Sequence, residues 1–125
     1  MGAGNARSVK PNILFICSDQ QRTDTIGAYG NSWINTTALD DLASRSFVFE
    51  NAYVTQPVCS PARSTMITGL YPHSAGVVRN SQPGRPMSGL FPDARTIAEM
   101  VSSDYVCGKY GKWHLGDDLS PQHGF

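Results

Sequence analysis

The sequence predicts an α/β domain in which a layered sheet is flanked by helices. A compact apolar run at residues 12–17 is typical of a buried parallel strand. Segments with helix start and stop signals follow it, and strand and helix patterns then alternate along the chain, which is the order of an α/β layered fold. The 125 residues, of which 40% are hydrophobic, are enough for one modest core.

The first half of the chain predicts a strand, a helix and an extended segment. Proline before residues 12–17 and a Ser-Asp pair after them mark the ends of the first strand. A threonine N-cap, Thr36 or Thr37, begins a helix that runs to about Ser46, with acidic residues near its start and an apolar stripe on one side. Residues 47–54 are predicted to be extended.

The second half begins with a helix that carries the most informative motif of the chain. Pro61 is suited to the first helical position and Gly69 to the helix stop. Residues 77–92 hold prolines and glycines without periodicity, which predicts an irregular surface loop. A helix over 95–102 and a strand over 105–107 complete the predicted order.

Composition excludes several classes of function. Ten basic and ten acidic residues balance, so there is no basic excess for nucleic acid, and no apolar run has the length needed to enter a membrane as a spanning helix. Three widely spaced cysteines form neither a disulfide framework nor a zinc pattern, which favours a reducing compartment. The apolar run near the N-terminus is too short for a secretory signal. We therefore expect a cytoplasmic protein, with a periplasmic or secreted location still possible and the oligomeric state open.

Cys59 is the first candidate for chemistry. It lies where a helix is about to begin, and Arg63 follows one turn later on roughly the same face. Unpaired backbone N–H groups and the helix dipole favour an anion at such a position, and the guanidinium adds a full positive charge. The alternative interpretation is a buried cysteine that serves packing alone.

Asp19 and Gln20 follow the predicted first strand. Ligands bind beyond the carboxyl ends of strands in α/β sheets, and carboxylate and amide oxygens suit a hard divalent cation. Taken alone, acidic residues after a strand are more often turn formers or helix caps. Arg22 and Asp24, just beyond, are expected to form an ion pair outside the catalytic site.

Lys112 and His114 form the third cluster, in the sequence Gly-Lys-Trp-His-Leu-Gly at residues 111–116. If this segment follows a strand, the two side chains share one side and point at the same anion, while Trp113 packs behind. Lysine neutralises a developing oxyanion, and histidine donates or accepts a proton near neutral pH. The alternative is a pair of ordinary surface residues.

Together these motifs resemble the sulfatase family. The resemblance rests on Cys-x-Pro-x-Arg followed by Thr-Gly, on Asn-Ile-Leu-Phe-Ile-x-x-Asp and on Gly-Lys-Trp-His-Leu-Gly. It implies an alkaline-phosphatase-like fold and a Cys59 that a formylglycine-generating enzyme oxidises to formylglycine. The hydrated aldehyde would attack sulfur with one oxygen and expel sulfate with the other. Lys112 and His114 would then contact the formylglycine oxygens and the sulfate, and Pro61 and Arg63 would complete the recognition motif.

The resemblance also implies a divalent metal held by Asp19, Gln20 and the residue at position 59. Calcium is the expected ion, and manganese or magnesium would suit a variant. Many members of the family have a second aspartate where this chain has Gln20. This departure resembles phosphonate monoester and phosphodiester hydrolases of the same superfamily, so such a hydrolase is the alternative to a sulfatase.

In domain terms, residues 1–10 are expected to be a flexible N-terminus, and residues 11–125 to be the N-terminal part of a sulfatase catalytic domain. Members of that family are several times longer, so the predicted fold is incomplete at its C-terminus and this chain is expected to be a fragment with little activity alone. The expected substrate is a small-molecule or carbohydrate sulfate ester. A truncated remnant that binds anions without chemistry is the remaining alternative.

Overall fold

The structure, a computed structural model, describes residues 10–82, 84–101, 103–117 and 119–125. Its chain divides into two compact units, Met1–Val48 and Phe49–Phe125. The α-helices of the described residues are α1 (Thr37–Ser44), α2 (Cys59–Thr68), α3 (Pro72–Ala75) and α4 (Ile97–Val101), and two short 3₁₀ helices span Thr23–Thr25 and Gly27–Tyr29. Of the predicted flexible N-terminus, only Lys10 lies within the described residues, and it is exposed.

Helix α1 organises the first unit. Thr36 is its N-cap residue, as predicted, but the hydroxyl accepts a hydrogen bond from the Gly27 amide (2.7 Å) instead of capping its own helix. Asp40, one turn into α1, accepts from the amide of Ala28 (2.7 Å). These two bonds tie the second 3₁₀ helix to the start of α1. The helix ends at Ser44, two residues before the predicted end.

The predicted strands are not assigned in the described residues, so the layered sheet of the fold prediction is not confirmed. Residues 12–17, 47–54 and 105–107 have no strand assignment, and the apolar run is solvent-exposed, with Leu14 at 83%. A strand has no hydrogen-bond partners of its own, so an apolar run becomes one only when neighbouring strands pair with it. Pairing in the described ranges is limited to one isolated antiparallel bridge between Val77 and Ser88.

Helix α2 buries a polar face. Ser60 and Ser64 are fully buried, and Thr68 nearly so. Hydroxyl groups there bond to the helix backbone: Ser64 Oγ donates to the Pro61 carbonyl (2.7 Å) and Thr68 Oγ1 to the Ser64 carbonyl (2.6 Å). Gly69 ends the helix in the left-handed region at φ 71°, which confirms the predicted stop.

One detail of the α2 prediction is wrong. The helix begins at Cys59, so Pro61 is its third residue and not its first. Proline is still tolerated there because the amides of the first helical turn have no partner within the helix.

The second unit has a small core, in which α2 packs against α3. Its buried apolar residues are Ala75, Val77, Ala94, Ala98 and Leu115. Helix α4 is shorter than predicted: it starts at Ile97 because Glu99 accepts the Thr96 amide (2.8 Å), as the acidic residue of a capping box does. The predicted end at Ser102 lies outside the described residues.

Residues 77–92 contain no helix or extended strand among those that are described, as predicted for a loop. Hydrogen bonds tie this loop to the core: the Phe91 amide donates to the Ala75 carbonyl (3.0 Å) and the Leu90 amide to the Leu115 carbonyl (3.1 Å). The loop is therefore held against both α3 and the segment that contains Lys112 and His114. Within the ranges that the structure covers, no helix is long and apolar enough to cross a membrane.

Candidate functional site

Cys59 is the first residue of α2 and is half-buried. The preceding N-cap residue, Val58, has no side-chain acceptor for the helix amides. Asn80 supplies one from the loop: its Oδ1 accepts the Ser60 amide at 3.1 Å, while Ser60 Oγ accepts the Ser81 amide at 2.9 Å. This pair of bonds fixes the start of α2, where Cys59 lies.

Arg63 connects α2 to the lysine–histidine segment, by which we mean residues 111–116. Its Nη1 donates to the Lys112 carbonyl oxygen at 2.8 Å, across 49 residues of sequence. Lys109 Nζ donates to the same oxygen at 3.0 Å. The structure thus brings together two of the residues that the sequence selected, Arg63 and Lys112, through the backbone of the second.

The lysine–histidine segment is not a strand, so the strand geometry expected to align Lys112 with His114 is absent from the described residues. Instead the chain turns at His114, which has φ 60°. Leu115, next along the chain, is 2% exposed and anchors the segment in the core. Trp113 packs edge-to-face on Phe125 with 5.8 Å between ring centroids, which matches its predicted packing role.

Asp19 and Gln20 lie in the first unit, whereas Cys59, Arg63 and the lysine–histidine segment lie in the second. Asp19 and Gln20 are both exposed to solvent. The predicted ion pair beyond them is confirmed: Arg22 Nε donates to Asp24 Oδ1 at 2.9 Å. That hydrogen bond, more than simple charge attraction, holds the pKa of the Asp24 carboxyl below its usual value.

Backbone strain marks two of the predicted site residues. Four described residues other than glycine have positive φ, namely Gln20, Met87, His114 and His123. A side chain in this left-handed region costs of order 1–3 kcal/mol, and such costs are concentrated at functional sites. Gln20 and His114 therefore adopt conformations that ordinary loop residues avoid.

The residues implied for a metal do not form a complete site. Calcium takes six to eight oxygen ligands, more than Asp19, Gln20 and residue 59 supply. Nowhere in the described parts of the chain do three or more histidine, cysteine, aspartate or glutamate side chains form a group that could hold a metal. We therefore derive no chemical step through a metal. The three cysteines, all described, are not in disulfides.

Asn80 and Lys109 are the contributors to the site that the sequence did not reveal. Asn80 lies in the predicted irregular loop, and Lys109 lies before the Gly-Lys-Trp-His motif, so neither shows a spacing that marks a function. The Asn80 contact with Ser60 joins positions 20 residues apart, so it depends on how the loop packs against α2. Lys109 lies only three residues before Lys112, and its contact depends on how that short segment turns.

Comparison with known families identifies the family of this chain. The family model for sulfatases matches residues 11–125, which is nearly the whole chain. The chain belongs to the sulfatase family. The resemblance to this family that the sequence predicted is confirmed.

Relatives of known name are sulfatases as well. Arylsulfatase A from Bos taurus is 35% identical over 131 residues, covering 100% of this chain and 26% of the relative. The N-acetylgalactosamine-6-O-sulfatase of Bacteroides thetaiotaomicron is 34% identical and covers 94% of this chain and 22% of the relative. A solved structure described as a 2-O GAG sulfatase has a TM-score of 0.66 at 33% identity, over 74% of this chain and 20% of its own. This chain therefore spans only about a quarter or less of these sulfatases.

Proposed function

We propose that this sulfatase-family chain carries the nucleophile and part of the anion site of an enzyme that hydrolyses sulfate esters. The observation that carries the proposal is the bond from Arg63 to the Lys112 carbonyl. It links the helix that begins at Cys59 to the segment that bears Lys112 and His114. Two family motifs that are far apart in sequence thus contact each other in the second unit.

Each residue has a distinct role in the proposed reaction. Formylglycine made from Cys59 would supply a hydrated aldehyde whose oxygen attacks the sulfur of the ester. The positive end of the α2 dipole, at the start of the helix, and the Arg63 guanidinium favour the negative charge of the sulfate. Lys112 adds a second cation close to the same anion, and His114 would move a proton to or from the reacting oxygens.

Calcium is the proposed metal, with manganese or magnesium as alternatives. Asp19 and Gln20 would each offer an oxygen, and residue 59 a third, so they would form part of a ligand set and not the whole. Gln20 favours a second candidate function, because replacing a carboxylate by an amide lowers the negative charge around the ion. A phosphonate monoester or phosphodiester hydrolase is therefore the alternative activity.

The relatives suggest the class of substrate. One is named for a 6-O-sulfated N-acetylgalactosamine, and the structural neighbour is described as a 2-O GAG sulfatase. We therefore propose a carbohydrate sulfate ester as substrate and a formylglycine-generating enzyme as the partner in maturation. The predicted cytoplasmic location remains a prediction.

The nucleophile is tested by co-expressing the chain with a formylglycine-generating enzyme and measuring its intact mass and tryptic peptides. We expect the peptide that contains Cys59 to show the mass change from thiol to aldehyde and to react with a hydrazide. Cys107→Ser should be modified like the native chain, and Cys59→Ser should not. An unmodified thiol at position 59 would refute the assignment.

The two activities are separated by assaying a longer protein that contains this sequence on an aryl sulfate and on an aryl phosphonate. Faster turnover of the sulfate supports the sulfatase. Faster turnover of the phosphonate supports the alternative, and no turnover of either supports a remnant that binds anions only.

A further inference from the structure

Two cationic side chains converge on one carbonyl oxygen at the proposed sulfate site. Arg63 Nη1 lies 2.8 Å and Lys109 Nζ 3.0 Å from the Lys112 oxygen. A carbonyl oxygen has two lone pairs, so both are used. Lys109 also donates to the Tyr110 carbonyl at 3.0 Å, which holds its ammonium across the turn that leads to Lys112.

These bonds matter because the backbone around Lys112 is not held by secondary structure. Residues 105–114 have no helix or strand assignment, and Gly111 has φ 83°, a conformation that glycine adopts with little cost. Leu115 is anchored in the core and its carbonyl accepts the Leu90 amide. The Lys112 carbonyl provides the second attachment point, three residues earlier in the chain.

We propose that Lys109 is a positioning residue for this segment. With Arg63 it holds the Lys112 carbonyl, and so it fixes the direction in which the Lys112 side chain leaves the backbone. This role rests on the proposed sulfate site at Lys112 and adds to it a residue outside the family motifs.

The charge of Lys109 has a further consequence for anion binding. The Lys109 ammonium and the Arg63 guanidinium both lie within 3.0 Å of the Lys112 carbonyl oxygen. They therefore raise the positive electrostatic potential around the backbone of Lys112. A divalent anion such as sulfate is favoured by such a group of cations. Losing Lys109 therefore removes both a hydrogen bond and a nearby charge.

The test is titration of inorganic sulfate into the full 125-residue chain, followed by NMR. Lys109→Met keeps the length and apolar stem of the side chain but removes the donor and the charge. We expect the Lys112 carbonyl ¹³C resonance to move and the Kd for sulfate to rise about tenfold, the size expected for a lost hydrogen bond from a charged donor. Lys109→Arg keeps a donor and the positive charge, so the Lys112 resonance and the Kd for sulfate should stay close to those of the native chain.

Lys10→Met is the matched control, since it removes the same charge from the first unit. It should leave the Lys112 resonance and the Kd as they are in the native chain. If Lys109→Met binds sulfate like the native chain while Lys112→Met binds it weakly, the role of Lys109 is refuted and the sulfate site stands. If Lys112→Met also binds sulfate normally, the proposed site itself is wrong, and the positioning role falls with it.

Discussion

The most apolar segment of the chain is exposed, whereas helix α2 buries a polar face. Leu14, in the apolar run at 12–17, is 83% exposed, but Ser64 in α2 is fully buried. Hydrophobicity alone would predict the opposite. The difference lies in where each segment finds its hydrogen-bond partners.

Helix α2 satisfies most of its main chain and its Ser64 and Thr68 hydroxyls locally. The Ser60 amide bonds to Asn80, but the main-chain bonds of an α-helix are otherwise internal, and the buried Ser64 hydroxyl donates to the carbonyl three residues earlier. The Ser64 hydroxyl therefore keeps a hydrogen-bond partner when it is buried, and this removes most of the free-energy cost of burying a polar group. A strand cannot do this because all of its ladder bonds come from neighbours. The apolar run thus depends on other strands, and α2 does not.

The largest loss of stability is expected when a larger side chain is placed on the buried polar face of α2. Ser64→Leu places extra carbon atoms in a fully occupied site, and we expect the free energy of unfolding to fall by about 2–3 kcal/mol. Chemical denaturation followed by circular dichroism measures it. Ser74→Leu makes the same change at an exposed site in α3 and should shift stability by less than about 0.5 kcal/mol.

The same measurement on Leu14→Ser tests the other half of the comparison. Leu14 is largely exposed, so its loss should also change stability by less than about 0.5 kcal/mol. A loss as large as that of Ser64→Leu would show that the apolar run is packed in solution, and the contrast between the two regions would fail.

A smaller loss of stability is expected from a substitution at Gly69, which ends α2. Gly69 has φ 71°, and an added Cβ would meet no atom within 4 Å, so Gly69→Ala isolates the backbone cost of the left-handed conformation. That cost is about 1–2 kcal/mol. Gly108→Ala is the control, because its φ is not in this region and its nearest contact is an ordinary 3.5 Å to Tyr110. Equal stability of the two variants would argue against the observed helix stop.

A substitution at the start of α2 should lower the free energy of unfolding by a smaller amount. Asn80→Ala removes the acceptor for the Ser60 amide and is expected to cost about 1 kcal/mol, as the loss of an N-cap does. Hydrogen exchange of the Ser60 amide should become faster in this variant and remain slow in Asn51→Ala, which changes an exposed asparagine of the same unit. Unchanged exchange at Ser60 would mean that Asn80 does not cap the helix.

The smallest expected effect is the pH dependence of stability that the Arg22–Asp24 ion pair produces in the first unit. Because Arg22 lowers the pKa of Asp24, the ion pair stabilises the folded chain above the ordinary carboxyl pKa, and this contribution is lost as the pH falls through the lowered value. NMR titration of the Asp24 carboxyl should show its pKa rising toward the ordinary value in Arg22→Gln. A pKa that does not move would contradict the pair.

Sequence reasoning located most features that depend on neighbours in the chain. The Thr36 cap position, the Gly69 stop and the Arg22–Asp24 pair all involve groups within a few residues of each other. The family motifs belong to the same class, since each is a short run with a characteristic spacing. The strand predicted from the apolar run at residues 12–17 is not confirmed, because its pairing depends on partners elsewhere in the fold.

By itself, then, the sequence determined that α1, α2 and α4 are helical, that α2 stops at Gly69 and which family the chain belongs to. The tertiary structure alone decided that Asn80 caps the helix of Cys59, and that Arg63 reaches the Lys112 carbonyl. Local hydrogen bonds are set by residue types a few positions apart, so they leave a readable pattern. Contacts across 20 to 49 residues depend on packing of the whole unit and leave none.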